Sequence, residues 1–138
     1  MSDGKSVREL INDPSRIGVL ATNDRAGNPN VALFGSPFMP DDLTLVMGLA
    51  DTRTAQNLLE TGKAVFMSVL SGTTGVDTRG ARIYLKVRVM EKEGPNFEMI
   101  REKIRSVAGD RPASRIRYAV FFDVESTRPL IDWGQPKS

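Results

Sequence analysis

The chain has 138 residues, 40% of them hydrophobic and 26% charged, with a formal net charge of +2, which is the scale of one soluble domain built on one core. It contains neither Cys nor His, and this removes disulfides, thiolate nucleophiles, imidazole bases and the usual zinc sites together. Any chemistry therefore falls to carboxylates, Lys, Tyr, Ser or Thr, or to a bound cofactor that carries the reaction itself.

Val7, Leu10 and Ile11 recur at helical spacing, so residues 6–12 are expected to form a short helix stopped by Asp13 and Pro14. Residues 17–22 are a compact apolar run and read as the first strand. Residues 23–29 are dense in turn formers, and residues 30–38 follow as a second strand. Gly35 and Pro37 within that strand signal an edge, a bulge or a close backbone approach. Residues 43–49 are the third strand, and a helix from Asp51 to about Thr61 ends at Gly62, a fitting residue for its C-terminal cap.

Residues 64–70 form strand four, and a polar, Gly-rich loop spans 71–80, equally suited to a substrate lid or an ordinary connection. Residues 81–90 alternate as a half-buried fifth strand. Residues 94–107 carry an apolar stripe of Phe97, Ile100, Ile104 and Val107, hence a second substantial helix. Asp110, Arg111 and Pro112 read as a turn, and residues 116–124 as strand six. Short connections favour antiparallel pairing, and six such strands close most simply into a small barrel.

The junction at Asp51 and Thr52 carries the sharpest chemical signal. A strand that feeds a helix leaves unpaired N–H groups at its N-terminus, where the helix dipole favours an anion. Thr52 and Thr54 add hydroxyls and Arg53 adds a cationic fork, a set that suits a phosphate. The plain alternative is a capped helix with an exposed Arg. The densest basic region, at Arg101, Lys103, Arg105, Arg111, Arg115 and Arg117, reads as a solvated helix face. Scattered basic residues argue against nucleic acid. No apolar run is long enough for a membrane span and no signal peptide is evident, so a cytoplasmic protein that uses neither membrane nor nucleic acid is expected.

Four features together resemble the FMN-binding split-barrel family that includes pyridoxamine 5′-phosphate oxidase and the small bacterial FMN-binding proteins. They are residues 17–22 with the Gly27-Asn28-Pro29 hairpin, residues 31–38, the run Thr52-Arg53-Thr54-Ala55-Gln56-Asn57-Leu58, and the strand after the long loop. The third is similar to the family's Ser-Arg-Lys-Ala-x-Asn-Leu pattern. The resemblance implies a single domain over 1–138, mainly β with flanking helices: a six-stranded antiparallel split barrel. It also implies a homodimer that binds FMN in an interface groove, as an FMN-dependent oxidoreductase whose redox partner, small molecule or protein, is open.

By the same resemblance Thr52, Arg53 and Thr54 fall at the FMN phosphate. Met47, Gly48 and Leu49 fall along the isoalloxazine ring, and Leu33, Phe34 and Gly35 along the ribityl chain and flavin edge. Thr54 replaces the Lys common in the family, and the tail lacks the basic, His-containing ending of true pyridoxamine-phosphate oxidases, which points away from pyridoxamine phosphate as substrate. Leu130, Ile131 and Trp133 must be buried; they either cap their own barrel or cross to the partner and place Trp133 beside the flavin. The alternative functions are a non-enzymatic flavin or electron carrier and a deazaflavin-binding relative. No metal site is expected.

Overall fold

Ser6 opens helix α1 (Val7–Asn12) with a capping box: its hydroxyl accepts from the Glu9 N–H while the Glu9 carboxylate accepts from the Ser6 N–H. The computed structural model describes residues 6–72, 77–132 and 134. After α1 come strands β1 (Ile17–Asn23), β2 (Pro29–Leu33), β3 (Phe38–Asp41) and β4 (Thr44–Leu49), then helix α2 (Arg53–Thr61). Strands β5 (Lys63–Leu70) and β6 (Arg79–Glu91), helices α3 (Pro95–Ala108) and α4 (Asp110–Arg115), and strand β7 (Tyr118–Pro129) complete the order. The strands form one antiparallel sheet in the order β2-β1-β5-β6-β7-β4-β3.

The sheet curls around one core but is not closed by strand pairing. The strands next to its two ends contribute to the same cluster: Leu20 from β1 and Leu45, Met47 and Leu49 from β4 pack with Phe66, Ile83, Leu85, Val120 and Phe122. Helix α1 adds Leu10 and Ile11, and α2 adds Ala55 and Leu58. Strand alternation sends Val46 to the opposite face, where it meets Phe97, Ile100, Ile116 and Ala119 in a second cluster under α3. Gly48 shares that face, and a Cβ there would stand 2.6 Å from Ile104 Cδ1, so the glycine is what lets α3 lie against β4.

The barrel has seven strands rather than six, because the expected second strand is two. Pairing with β1 stops at Leu33, and β3 starts only at Phe38. Pro37 has no N–H to offer a ladder. The carbonyls of Phe34, Gly35 and Pro37 are instead taken by one side chain, Arg16. The expected turn at Asp110-Arg111-Pro112 is the first turn of α4, where Pro costs nothing because its N–H would be unpaired anyway. Strand β7 also runs further than expected, to Pro129, pairing with β6 through two register shifts.

Candidate functional site

Helix α2 starts where its sequence places it. Thr52 is extended and caps the helix, its hydroxyl accepting from the Ala55 N–H at 3.4 Å. Gly62 ends it in the left-handed region at φ 69°, donating its N–H to the Leu58 carbonyl. The cap uses the Ala55 N–H, and the Gln56 N–H reaches the Thr52 carbonyl at 3.0 Å, so the donors left over in the first turn belong to Arg53 and Thr54. The Arg53 side chain is exposed and has no hydrogen-bond or ion-pair partner among the described residues. Gln56 turns back to the Asp51 carboxylate at 3.0 Å.

Thr54 faces the other way. It is 2% exposed, and its hydroxyl accepts from Asn30 Nδ2 at 3.3 Å. Asn57, one turn on, is equally buried and donates to the Thr22 hydroxyl at 3.0 Å. The underside of α2 is therefore polar where it lies over β1 and β2, and hydrogen bonds fix its position. Of the three residues expected at a phosphate, Thr52 and Arg53 stand at the surface, and Thr54 ties the helix to β2.

The 33–37 segment lies at the split in the barrel. Leu33 is exposed, while Phe34 packs partly against the core and donates its N–H to the Gly18 carbonyl at 2.8 Å. Gly35 is exposed, and a Cβ there would meet nothing within 4 Å. Arg16 holds the segment's backbone, with its Nε on the Ile11 carbonyl at 2.8 Å and its terminal nitrogens on Phe34, Gly35 and Pro37. Its guanidinium lies 5.2 Å from the centre of the Phe66 ring. Burial draws the Arg16 pKa below the ordinary arginine value.

Ser36 then brings two of the expected stretches together. Its hydroxyl stands 3.4 Å from both the N–H and the carbonyl oxygen of Gly48, linking the end of the 33–35 stretch to the 47–49 stretch. Asn30 links β2 to Thr54 in the same way. Residues 33–35, 47–49 and 52–54 thus converge on one region. Met47 and Leu49 point their side chains into the core, so only their backbone is placed to meet a ligand. Trp133 lies outside the described residues, as do residues 73–76 of the long loop. Arg16, Asn30 and Ser36 were not legible as site residues, because each acts on a partner at least 12 residues away, apart from the Arg16 contact to Ile11.

The outer face of the sheet beside this region is apolar. Ile17, Val31 and Leu33 are 57%, 64% and 68% exposed. Register sets Leu33 beside Val19 and Met67, and Val31 beside Ala21, Val65 and Tyr84. A shallow depression of about 330 Å³ lies on this face over Ala21, Val65 and Tyr84, with the Lys63–Glu125 ion pair, 2.6 Å long, at its rim.

No protein-family model matches the chain, and no curated protein matches it in sequence. Solved structures do match. An FMN-binding protein from Syntrophomonas wolfei is 26% identical, with a TM-score of 0.80 over 91% of this chain and 84% of the other. A Lactobacillus delbrueckii protein provisionally assigned as a pyridoxamine 5′-phosphate oxidase is 16% identical, with a TM-score of 0.64 over 92% and 93%. HutZ, the heme storage protein of Vibrio cholerae, is 15% identical, with a TM-score of 0.68 over 94% and 95%. These neighbours include an FMN-binding protein and pyridoxamine 5′-phosphate oxidase-like proteins, and the chain has their split-barrel fold, with an antiparallel sheet that strand pairing does not close.

Proposed function

We propose that this chain is an FMN-binding flavoprotein acting as an FMN-dependent oxidoreductase in a homodimer. The observation that carries the reading is the convergence at the split: a capped helix N-terminus with the unpartnered, exposed Arg53 lies beside two backbone stretches, 33–35 and 47–49, joined through Ser36. The residues fit the cofactor's parts. Arg53, the Thr52 hydroxyl and the free N–H groups of the first turn would hold the phosphate. Gly35, with open space where a Cβ would stand, would let backbone approach the flavin edge. Thr54 and Asn57 would keep the helix end in place.

Bound FMN would supply reversible uptake of a hydride or of single electrons. The chain's part would be to bind the phosphate, orient the ring along backbone and exclude water from one side. A heme suits these residues less well, since the chain has no His or Cys to ligate iron. The exposed apolar face through Ile17, Val31 and Leu33 supports dimerisation, because apolar surface of that extent favours a second protein surface.

The test is reconstitution of the purified protein with FMN, followed by flavin absorbance and fluorescence. Arg53→Ala should remove charge-assisted hydrogen bonds worth about 1.5–3 kcal/mol, or about tenfold to a hundredfold in affinity. Equal affinity in the variant would overturn the phosphate assignment. Stoichiometric reduction of the bound flavin by a nicotinamide nucleotide separates an enzyme from a carrier, and preferential binding of a deazaflavin would replace FMN in the reading. Sedimentation at micromolar concentration tests the dimer.

A further inference from the structure

A second cleft, of about 300 Å³, opens on the other side of the α2 junction. Asp51 lines it from that junction, Lys92 from the turn after β6, Phe97 and Arg101 from α3, Ile116 and Arg117 from the link after α4, and Tyr118 from the start of β7. Its floor is apolar, with Phe97, Ile116 and Tyr118 all under 10% exposed. The floor also holds two of the cations in place: the Arg101 guanidinium lies 4.7 Å from the Phe97 ring centre, and the Lys92 ammonium 5.7 Å from that of Tyr118.

Three cations therefore line this cleft against one carboxylate. Lys92 has no hydrogen-bond or ion-pair partner among the described residues. Arg117 donates to the Ser114 and Ile116 carbonyls, at 3.0 and 3.1 Å, and meets no carboxylate among the described residues. Arg101 reaches Glu98 at 3.6 Å, while its buried Nε has no hydrogen-bond partner among the described residues. The contrast with Arg105 on the same helix is informative: Arg105 is neutralised on two sides, by Glu102 and by Asp110. The basic run on α3 is thus not one uniform solvated face. Arg105 is held by carboxylates on two sides and Lys103 lies over the Phe38 ring at 4.3 Å, whereas Arg101 lines the cleft beside two further cations.

We infer that this cleft binds a small organic anion bearing at least two negative charges, phosphate or carboxylate, by its cationic rim. A low-dielectric floor concentrates the field of the cations above it, so an anion gains more here than over open surface. Asp51 adds an acceptor at the mouth, already bonded by Gln56, which matches a hydroxyl or amine donor beside the anionic group. Arg53 does not line the cleft, so the inference stands apart from the flavin reading.

The experiment is calorimetric titration of the full chain with inorganic pyrophosphate and, separately, with malonate, the two arms distinguishing phosphate from carboxylate. Saturable binding of either probe is expected, weakened about tenfold or more in Lys92→Gln/Arg117→Gln. Both residues are exposed, so the variant should fold, and its circular dichroism and melting temperature check this. The titrations are run with saturating FMN present, proposed above to occupy the helix end at Arg53, so that only binding outside that end is read. Absence of saturable binding to both probes, or binding that survives the double substitution, overturns the inference. Binding abolished by Arg53→Ala and kept by the double variant would assign the anion to the helix end instead, and overturns it too.

Discussion

Gly18 offers a direct test of how the split is held. A Cβ built there would stand 2.3 Å from Cζ and 2.8 Å from Cε1 of Phe66, and 2.9 Å from Nη1 of Arg16. Phe66 is 0% exposed at the centre of the barrel core, so its ring has no free space to swing into. Overpacking of this kind costs about 1–3 kcal/mol. Replacing Gly with Ala returns about 0.4–1 kcal/mol by restricting the unfolded chain. The clash wins, and Gly18→Ala should lose about 1–2 kcal/mol, or about 3–10 °C in melting temperature for a chain of this length. Moving Arg16 should also loosen the 34–37 segment, so hydrogen exchange at the Phe34 amide should quicken. Gly35→Ala is the control: its Cβ would meet nothing within 4 Å, so stability should hold or rise by up to about 1 kcal/mol. Urea and thermal unfolding read both. Gly18→Ala as stable as the parent, or Gly35→Ala falling further than Gly18→Ala, would refute the packing argument.

Thr54→Lys would restore the cation common in the family, but Thr54 is 2% exposed and bonded to Asn30, so we expect a loss of about 2 kcal/mol or more and weaker rather than tighter FMN binding. A melting curve alongside a flavin titration checks both effects. Asn57→Ala should cost about 1–3 kcal/mol in urea unfolding, because it strips the buried Thr22 hydroxyl of its partner. Asp24 accepts from the Asn28 side chain and then the Asn28 N–H, and these bonds hold its carboxyl below the ordinary value. A folded pKa below the unfolded one gives stability that is present above the unfolded value and lost as pH falls through the folded value. The gap in urea midpoint between the parent and Asp24→Ala should therefore narrow from neutral pH toward about pH 3; a gap that stays constant would refute it.

The sequence made the strand and helix order readable because apolar periodicity, Thr52 and Gly62 are local signals, and the structure places the α2 caps at those two residues. The break in the second strand was not readable. It depends on Arg16, which reaches carbonyls 18 to 21 residues further along the chain. The inward turn of Thr54 was hidden for a related reason. Periodicity marks polar residues as outward-facing, yet α2 rests on β1 and β2 through Thr54 and Asn57, whose partners lie on other strands. Asp110-Arg111-Pro112 looked like a turn because Pro at the start of a helix and Pro in a turn carry the same local signature. Gly48 was visible as a special backbone position, but the neighbour that accounts for it, α3, begins almost 50 residues later.

The placement of β4 has a consequence for biosynthesis. It pairs on one side with β3, a few residues earlier, and on the other with β7, where Leu49 lies opposite Tyr118 and Thr44 opposite Asp123. A nascent chain that has released β4 from the ribosome must wait about 70–80 residues for that second partner, about 4–16 s at about 5–20 residues per second. During that interval one backbone edge of β4 is uncovered and Val46 lacks the floor that Ala119 and Ile116 later provide. The half-made barrel therefore holds an unpaired strand edge and uncovered apolar surface over that interval, and slower translation of the α3 region would lengthen its exposure.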